Sequence, residues 1–221
     1  MENTLLIIGI FSYLFGSIPF SYYIGRFYGK NLFQIGSKNI GTANVYRATK
    51  SFAAAALALV ADMGKGYCAL WMTCQIAPSV TALTLASFFV VLGHNWPIFL
   101  RFKGGRGLAS LGGAMLFLNW KLLFLSLAIV ILFILTVEAD SLVKKEWPGK
   151  TKEKIKALIK VLISQVKGRM IGMIGAVLFA FFFDFQTLKI ITPALILVGV
   201  KHIKRTKSFI EKNNKKLAKN D

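Results

Sequence analysis

The sequence predicts an all-α polytopic membrane protein of about seven transmembrane helices, with its N-terminus outside and its C-terminus cytoplasmic. Three observations carry this expectation. Hydrophobic residues fill 55% of the 221 positions and mean hydropathy is +0.59, whereas soluble domains run about 45–50% apolar even with Gly counted. The chain nevertheless holds 28 Lys and Arg against 9 Asp and Glu, a net charge of +19. That pairing excludes a disordered polycation, whose composition is polar. Finally, every basic residue except Lys65, Lys121 and Lys189 falls in one of four segments, 26–50, 101–106, 144–169 and 201–221. Topology already explains those charges, so nucleic acid is not an expected partner.

The apolar runs read as 4–25, 52–74, 79–100, 107–120, 121–137, 168–184 and 187–203. The first has only Glu2 charged ahead of it, and the lack of a basic n-region speaks against a cleaved signal peptide. Arg26, Lys30, Lys38, Arg47 and Lys50 follow it. The second run contains Asp62 and Lys65 on one helix face. Charges there pair or face a polar interior, so the two form either a structural bridge or part of a site wall. Gly64 and Gly66 beside them permit close approach. Cys68 and Cys74 lie on different faces and read as small packing residues. His94, following Gly93 within the third run, suits a core histidine better than a general base. The run 107–120 is short and contains Gly112 and Gly113. It fits a re-entrant segment as well as a span, which leaves five or six crossings as the alternative count. If all seven runs cross, the four basic segments share one side, and that side is the cytoplasm. Asp184 reads as punctuation at the outer end of a span.

The chain reads as one membrane domain over 1–221 with an insertion at 138–167. From Thr151 to Lys167, Ile155, Leu158, Ile159, Leu162 and Val166 recur at helical spacing among lysines. This pattern suits a basic amphipathic helix in an anionic headgroup layer, or else a solvated linker helix.

Two cytoplasmic segments carry the chemistry. The first runs Gly36-Ser37-Lys38-Asn39-Ile40-Gly41-Thr42-Ala43-Asn44-Val45-Tyr46-Arg47. Its glycines allow backbone N–H groups to approach an anion, its hydroxyls and amides give directional bonds, and Arg47 offers a phosphate fork. A polar turn between helices is the plainer alternative. The second runs from Gly93-His94-Asn95-Trp96-Pro97 to Arg101-Phe102-Lys103-Gly104-Gly105-Arg106-Gly107 and opens into a helix. Glycines and cations at a helix N-terminus make a phosphate cradle, though the same residues also suit a flexible hairpin. Walker spacing is missing, so no nucleotide is implied. With His94 and His202 far apart and no ligand spacing, neither a metal nor a cofactor is expected.

These segments resemble those of the PlsY family, membrane acyltransferases that move a fatty acyl group from acyl-phosphate to glycerol 3-phosphate. Gly16-Ser17-Ile18-Pro19 is similar to the family's Gly-Ser-x-Pro, and Gly36 to Arg47 to its first signature. Asp62-Met63-Gly64-Lys65-Gly66 matches Asp-x-x-Lys-Gly, and Gly93 through Ala109 matches the second signature, with Arg106 for a Lys. Within the first signature, Lys38 stands for a Gly and Thr42-Ala43 reverses Ala-Thr. In the third, Gly199 and His202 stand where the family has a His and an Asn, and Phe209 where it has a Gly.

The resemblance implies a seven-span bundle with its site at the cytoplasmic face. It implies acyl-phosphate and glycerol 3-phosphate as substrates, lysophosphatidic acid as product, and anionic membrane lipid as surroundings. Arg47, Lys103 and Arg106, with the amides of Gly104, Gly105 and Gly107, would then hold the two phosphates, and Lys65 would add charge. Ser37, Asn39 and Asn44 would orient the acyl carbonyl or the attacking hydroxyl. His202 would substitute for one lost group of the third signature. The rival readings are a phosphate-ester transporter or anion-binding membrane protein on the same fold, and a scaffold acting through the insertion.

Overall fold

The computed structural model describes residues 2–137 and 167–217, with side chains for 2–136 and 171–203. The insertion at 138–167 lies almost wholly outside the described residues, as does the side chain of Phe209. Every regular element described is helical. The chain divides into two compact units, one of residues 1–119 and 189–221, the other of 120–188.

In the first unit, α1 (Glu2–Ser17) and α2 (Phe20–Phe27) replace the single first run. The break falls at Ile18-Pro19, because Pro19 has no N–H to give and restricts the residue before it. The loop that follows contains an unexpected helix, α3 (Thr42–Thr49). α3 packs on α2 and on α4 (Phe52–Ile76), and the unit continues with α5 (Val80–Asn95) and, after a short 3₁₀ turn at Ile98–Leu100, α6 (Leu108–Leu118). Ser51 and Ser79 cap α4 and α5 by accepting the N–H groups of Ala54 and Ala82, each at 3.2 Å. In the second unit, α7 (Trp120–Val137) packs on α8 (Lys167–Phe183). The last helix, α9 (Phe185–Leu217), runs on past the expected end at 203.

Two glycine-to-backbone crossings set the core of the first unit. α1 meets α5 where a Cβ on Gly16 would overlap the Val90 carbonyl and one on Gly93 would overlap the Tyr13 carbonyl. α4 meets α6 in the same reciprocal way, Gly66 against the Ser110 carbonyl and Gly113 against the Met63 carbonyl. Small residues at these points let the backbones touch, the usual means of helix association in lipid.

Four helical stretches are long and apolar enough to cross a membrane, at Glu2–Phe27, Phe52–Ile76, Val80–Leu100 and Phe185–Ile203. Three more, Leu108–Leu118, Trp120–Thr136 and Ile171–Phe183, are apolar but shorter. Large apolar side chains such as Leu6, Phe52, Trp120 and Phe182 are exposed along these helices, as lipid-facing residues are.

Candidate active site

The first polar segment is tied down by α3. Asn44, Val45 and Ala48 form its buried face, and Val45 and Ala48 pack with Ala54 and Ala58 of α4, Leu32 and Ile40. From that face Asn44 commits its whole amide. Its Nδ2 donates to the carbonyls of Leu32 and Ile35 at 3.0 Å each, and its Oδ1 accepts the Ser37 N–H at 2.8 Å. Both Nδ2 protons are thus taken by loop backbone, so Asn44 shapes the loop instead of reaching a substrate, as the sequence had suggested. Arg47 lies one turn further along α3, with its aliphatic stem beside Gly36. Partial burial draws its pKa below the ordinary arginine value, and it still stays charged near neutral pH. Ser37 and Asn39 are half-buried and Lys38 is exposed, with Lys38 held at φ 53°.

Beneath this loop, Asp62, Lys65 and His94 form a buried polar cluster. Asp62 and Lys65 are each 1% exposed, joined Nζ to Oδ1 at 3.0 Å. Ser21 donates its hydroxyl to the other Asp62 oxygen at 2.6 Å. Lys65 also donates to the carbonyls of Gly16 at 3.1 Å and Ile18 at 2.9 Å, just before the Pro19 break. His94 Nδ1 stands 3.2 Å from Lys65 Nζ and 3.6 Å from Asp62. An ammonium has three protons, and oxygens of this cluster occupy them. Lys65 thus bridges α1, α4 and α5 while lining the cleft above them.

The second segment is seated on the end of α5. The Gly105 N–H donates to the His94 carbonyl at 2.9 Å. A Cβ on Gly105 would overlap the His94 ring, and one on Gly104 would overlap the carbonyls of His94 and Asn95. The amide of Gly105 is therefore engaged within the protein, a correction to its expected place among the phosphate donors. Gly107, at φ 81°, caps the start of α6 in a backbone region open to glycine. Lys103 is exposed and Arg106 half-buried on either side of the pair of glycines. Ile40 of the first segment, with Pro19, Lys65, His94 and Pro97, lines a small cleft. The two polar segments thus share one wall.

α9 completes the neighbourhood. His202 is buried, and its Nδ1 donates to the Val198 carbonyl one turn back at 2.9 Å. Gly199 has open space where a side chain would stand. The residue that sequence reading passed over is Lys201, whose Nζ reaches the Asn95 carbonyl at 2.7 Å and lies 4.3 Å from the Trp96 ring centre. Its signal was the spacing: Ile191, Ala194 and Val198 are buried, and the same steps reach 201 and 202. Ser21 and Tyr13 were also missed, since single hydroxyls inside an apolar run carry no pattern. Among the described residues, no three His, Cys, Asp or Glu side chains converge as metal ligands would.

Comparison with known proteins is consistent along the chain. The glycerol-3-phosphate acyltransferase family profile matches residues 6–212. A glycerol-3-phosphate acyltransferase of Wolbachia pipientis subsp. Culex pipiens is 32% identical over 213 residues, 95% of this chain and 97% of that protein. One from Rubrobacter xylanophilus is 40% identical over 113 residues, 51% of this chain and 55% of that protein. One from Bordetella petrii is 43% identical over 108 residues, 48% of this chain and 50% of that protein. The chain thus spans about half the length of these last two relatives. Two crystal structures of PlsY (YgiH), an integral membrane glycerol 3-phosphate acyltransferase, in glycerol 3-phosphate and lysophosphatidic acid forms, share its fold. Both give a TM-score of 0.67 at 24% identity, covering 96% of this chain and 92% of theirs.

Proposed function

The chain belongs to the glycerol-3-phosphate acyltransferase family, and from that membership we propose that it transfers a fatty acyl group from acyl-phosphate to glycerol 3-phosphate at the cytoplasmic face of the cell membrane. The observation that carries this reading is the seating of Gly104–Gly107, flanked by Lys103 and Arg106, against the end of α5. The segment bearing Arg47 approaches the end of α5 through Ile40, which lines a cleft with His94 and Pro97. Two cation-bearing segments suit two phosphate-bearing substrates.

In this reading seven helices cross the membrane, the N-terminus is outside, and the insertion lies on anionic lipid. The acyl tail stays among lipid-facing side chains while its phosphate head sits at the surface. Arg47, Lys103 and Arg106, with the Gly104 and Gly107 amides, hold the two phosphates. Ser37 and Asn39 orient the acyl carbonyl and the attacking hydroxyl, and Asn44 holds the loop that presents them. His202 stands in for part of the third signature. The glycerol 3-phosphate hydroxyl attacks the acyl carbonyl carbon, the carbon–oxygen bond to phosphate breaks, and the hydroxyl proton passes to the departing phosphate. Acyl-phosphate brings its own leaving group, so positioning and charge stabilisation supply most of the catalysis. Direct attack is favoured over an acyl-Ser37 intermediate, which needs a base partner for the serine.

The test uses the purified chain in lipid with palmitoyl phosphate and glycerol 3-phosphate. Lysophosphatidic acid and inorganic phosphate should form in equal amounts. Product from acyl-CoA but not acyl-phosphate would replace the donor, and product from neither would reject the reaction.

A further inference from the structure

We propose that Lys201 is a positioning residue for the Gly104–Gly107 segment, a role that deepens the acyl-transfer reading and rests on it for its kinetic consequence. Asn95 is the last residue of α5 and Trp96 its C-cap. Carbonyls at a helix C-terminus lack intrahelical partners and carry the negative end of the helix dipole. Three successive ones are held here from three directions. The Gly105 N–H takes His94 O at 2.9 Å, Lys201 Nζ takes Asn95 O at 2.7 Å, and the Tyr13 hydroxyl takes Trp96 O at 2.9 Å.

The middle bond is the only ionic one of the three. The same ammonium lies 4.3 Å from the Trp96 ring centre, well inside the reach of a cation–π contact, about 6 Å. The Asn95 carbonyl is also the surface against which Gly104 is packed, since a Cβ there would overlap it. Lys201 therefore fixes, through one oxygen atom and one ring, the floor under the glycine segment. The Asn95 side chain adds a longer tie to α9, Nδ2 to the Leu197 carbonyl at 3.5 Å. Removing the ammonium orphans a carbonyl and uncovers a ring at the point where the second segment is seated. The ligand that feels this is the phosphate group bound by the segment, which the proposal takes to be that of glycerol 3-phosphate, so the effect falls on the affinity for that substrate and not on the chemical step.

The experiment compares the full chain with K201M, K201R and W96L in lipid nanodiscs. It measures kcat and KM for glycerol 3-phosphate, and amide hydrogen exchange of the peptide covering residues 104–107. For K201M, the KM should rise about tenfold with kcat nearly unchanged, and exchange should quicken about tenfold. Arginine can keep both the carbonyl bond and the ring contact, so K201R should restore both readouts. W96L, which leaves the carbonyl bond in place, should give a smaller shift in the same direction. Unchanged KM and exchange in K201M, or K201R as impaired as K201M, would overturn the proposal. So would a loss of kcat alone with exchange unchanged, since that marks direct contact with the reacting groups. If the parent chain makes no lysophosphatidic acid, the acyl-transfer reading fails, while the exchange comparison still decides whether Lys201 positions the segment. If K201M does not fold, W96L and K201R decide it by the same two measurements.

Discussion

Lys38 sits at φ 53°, where a side chain other than that of Gly, Asn or Asp costs about 1–2 kcal/mol. The resembled signature has Gly at this position. Lys38→Gly is expected to raise thermal stability by about 1 kcal/mol, read as a higher unfolding midpoint, whereas Lys38→Val should lower it. Asn44→Ala should do the reverse of a relief. It leaves the Leu32 carbonyl and the Ser37 N–H without their partner, while the Ile35 carbonyl keeps the Lys38 N–H, at about 1–3 kcal/mol for each group left buried and unsatisfied. Arg47→Ala is expected to cut lysophosphatidic acid formation by about a hundredfold or more, and a variant with full activity would remove Arg47 from the site. Asn44 and Arg47 both stood out in the sequence as polar residues in a glycine-rich stretch. Their difference in role was not legible, because it depends on the Leu32 carbonyl, brought near Asn44 only when the loop folds.

The helix crossings show a similar separation among glycines. Gly64 and Gly66 sit two residues apart in one motif, yet α-helical geometry turns them to different sides. Gly66 faces the backbone of α6, while Gly64 has open space around it. Gly113→Ala should force α4 and α6 apart where its methyl meets the Met63 carbonyl, costing about 1–3 kcal/mol. Gly64→Ala should be tolerated or stabilising by up to about 1 kcal/mol from helix propensity alone. Unfolding midpoints in detergent distinguish the two, and equal losses would discard the crossing as the reason. The break between α1 and α2 was hidden in one apolar run, although Pro19 marked it. What Pro19 alone could not say is that Lys65, 49 residues from Gly16 in sequence, donates to the carbonyls just before the break.

Across the whole molecule, the excess of basic residues becomes an orientation that can be measured. In a chain with Cys68 and Cys74 replaced by Ala, Lys50→Cys should react with an impermeant maleimide only from the cytoplasmic side. Pro78→Cys should react only from the opposite side, and labelling of both from one side would overturn the seven-span, N-outside reading. The sequence by itself determined the membrane class, the order of the apolar runs and the two polar segments proposed to carry the chemistry. Composition and periodicity act locally, and each apolar run declares its own environment whatever the rest of the chain does. Only the tertiary structure decided which polar groups remain available there. Lys65 and the Gly105 amide, which looked like substrate ligands, are engaged with protein oxygens. Lys201, which looked like one more orienting charge, reaches Asn95 across 106 positions of sequence. The physical reason is that an apolar interior obliges each buried donor and acceptor to find a partner, and only the packing of distant helices determines which partner is within reach.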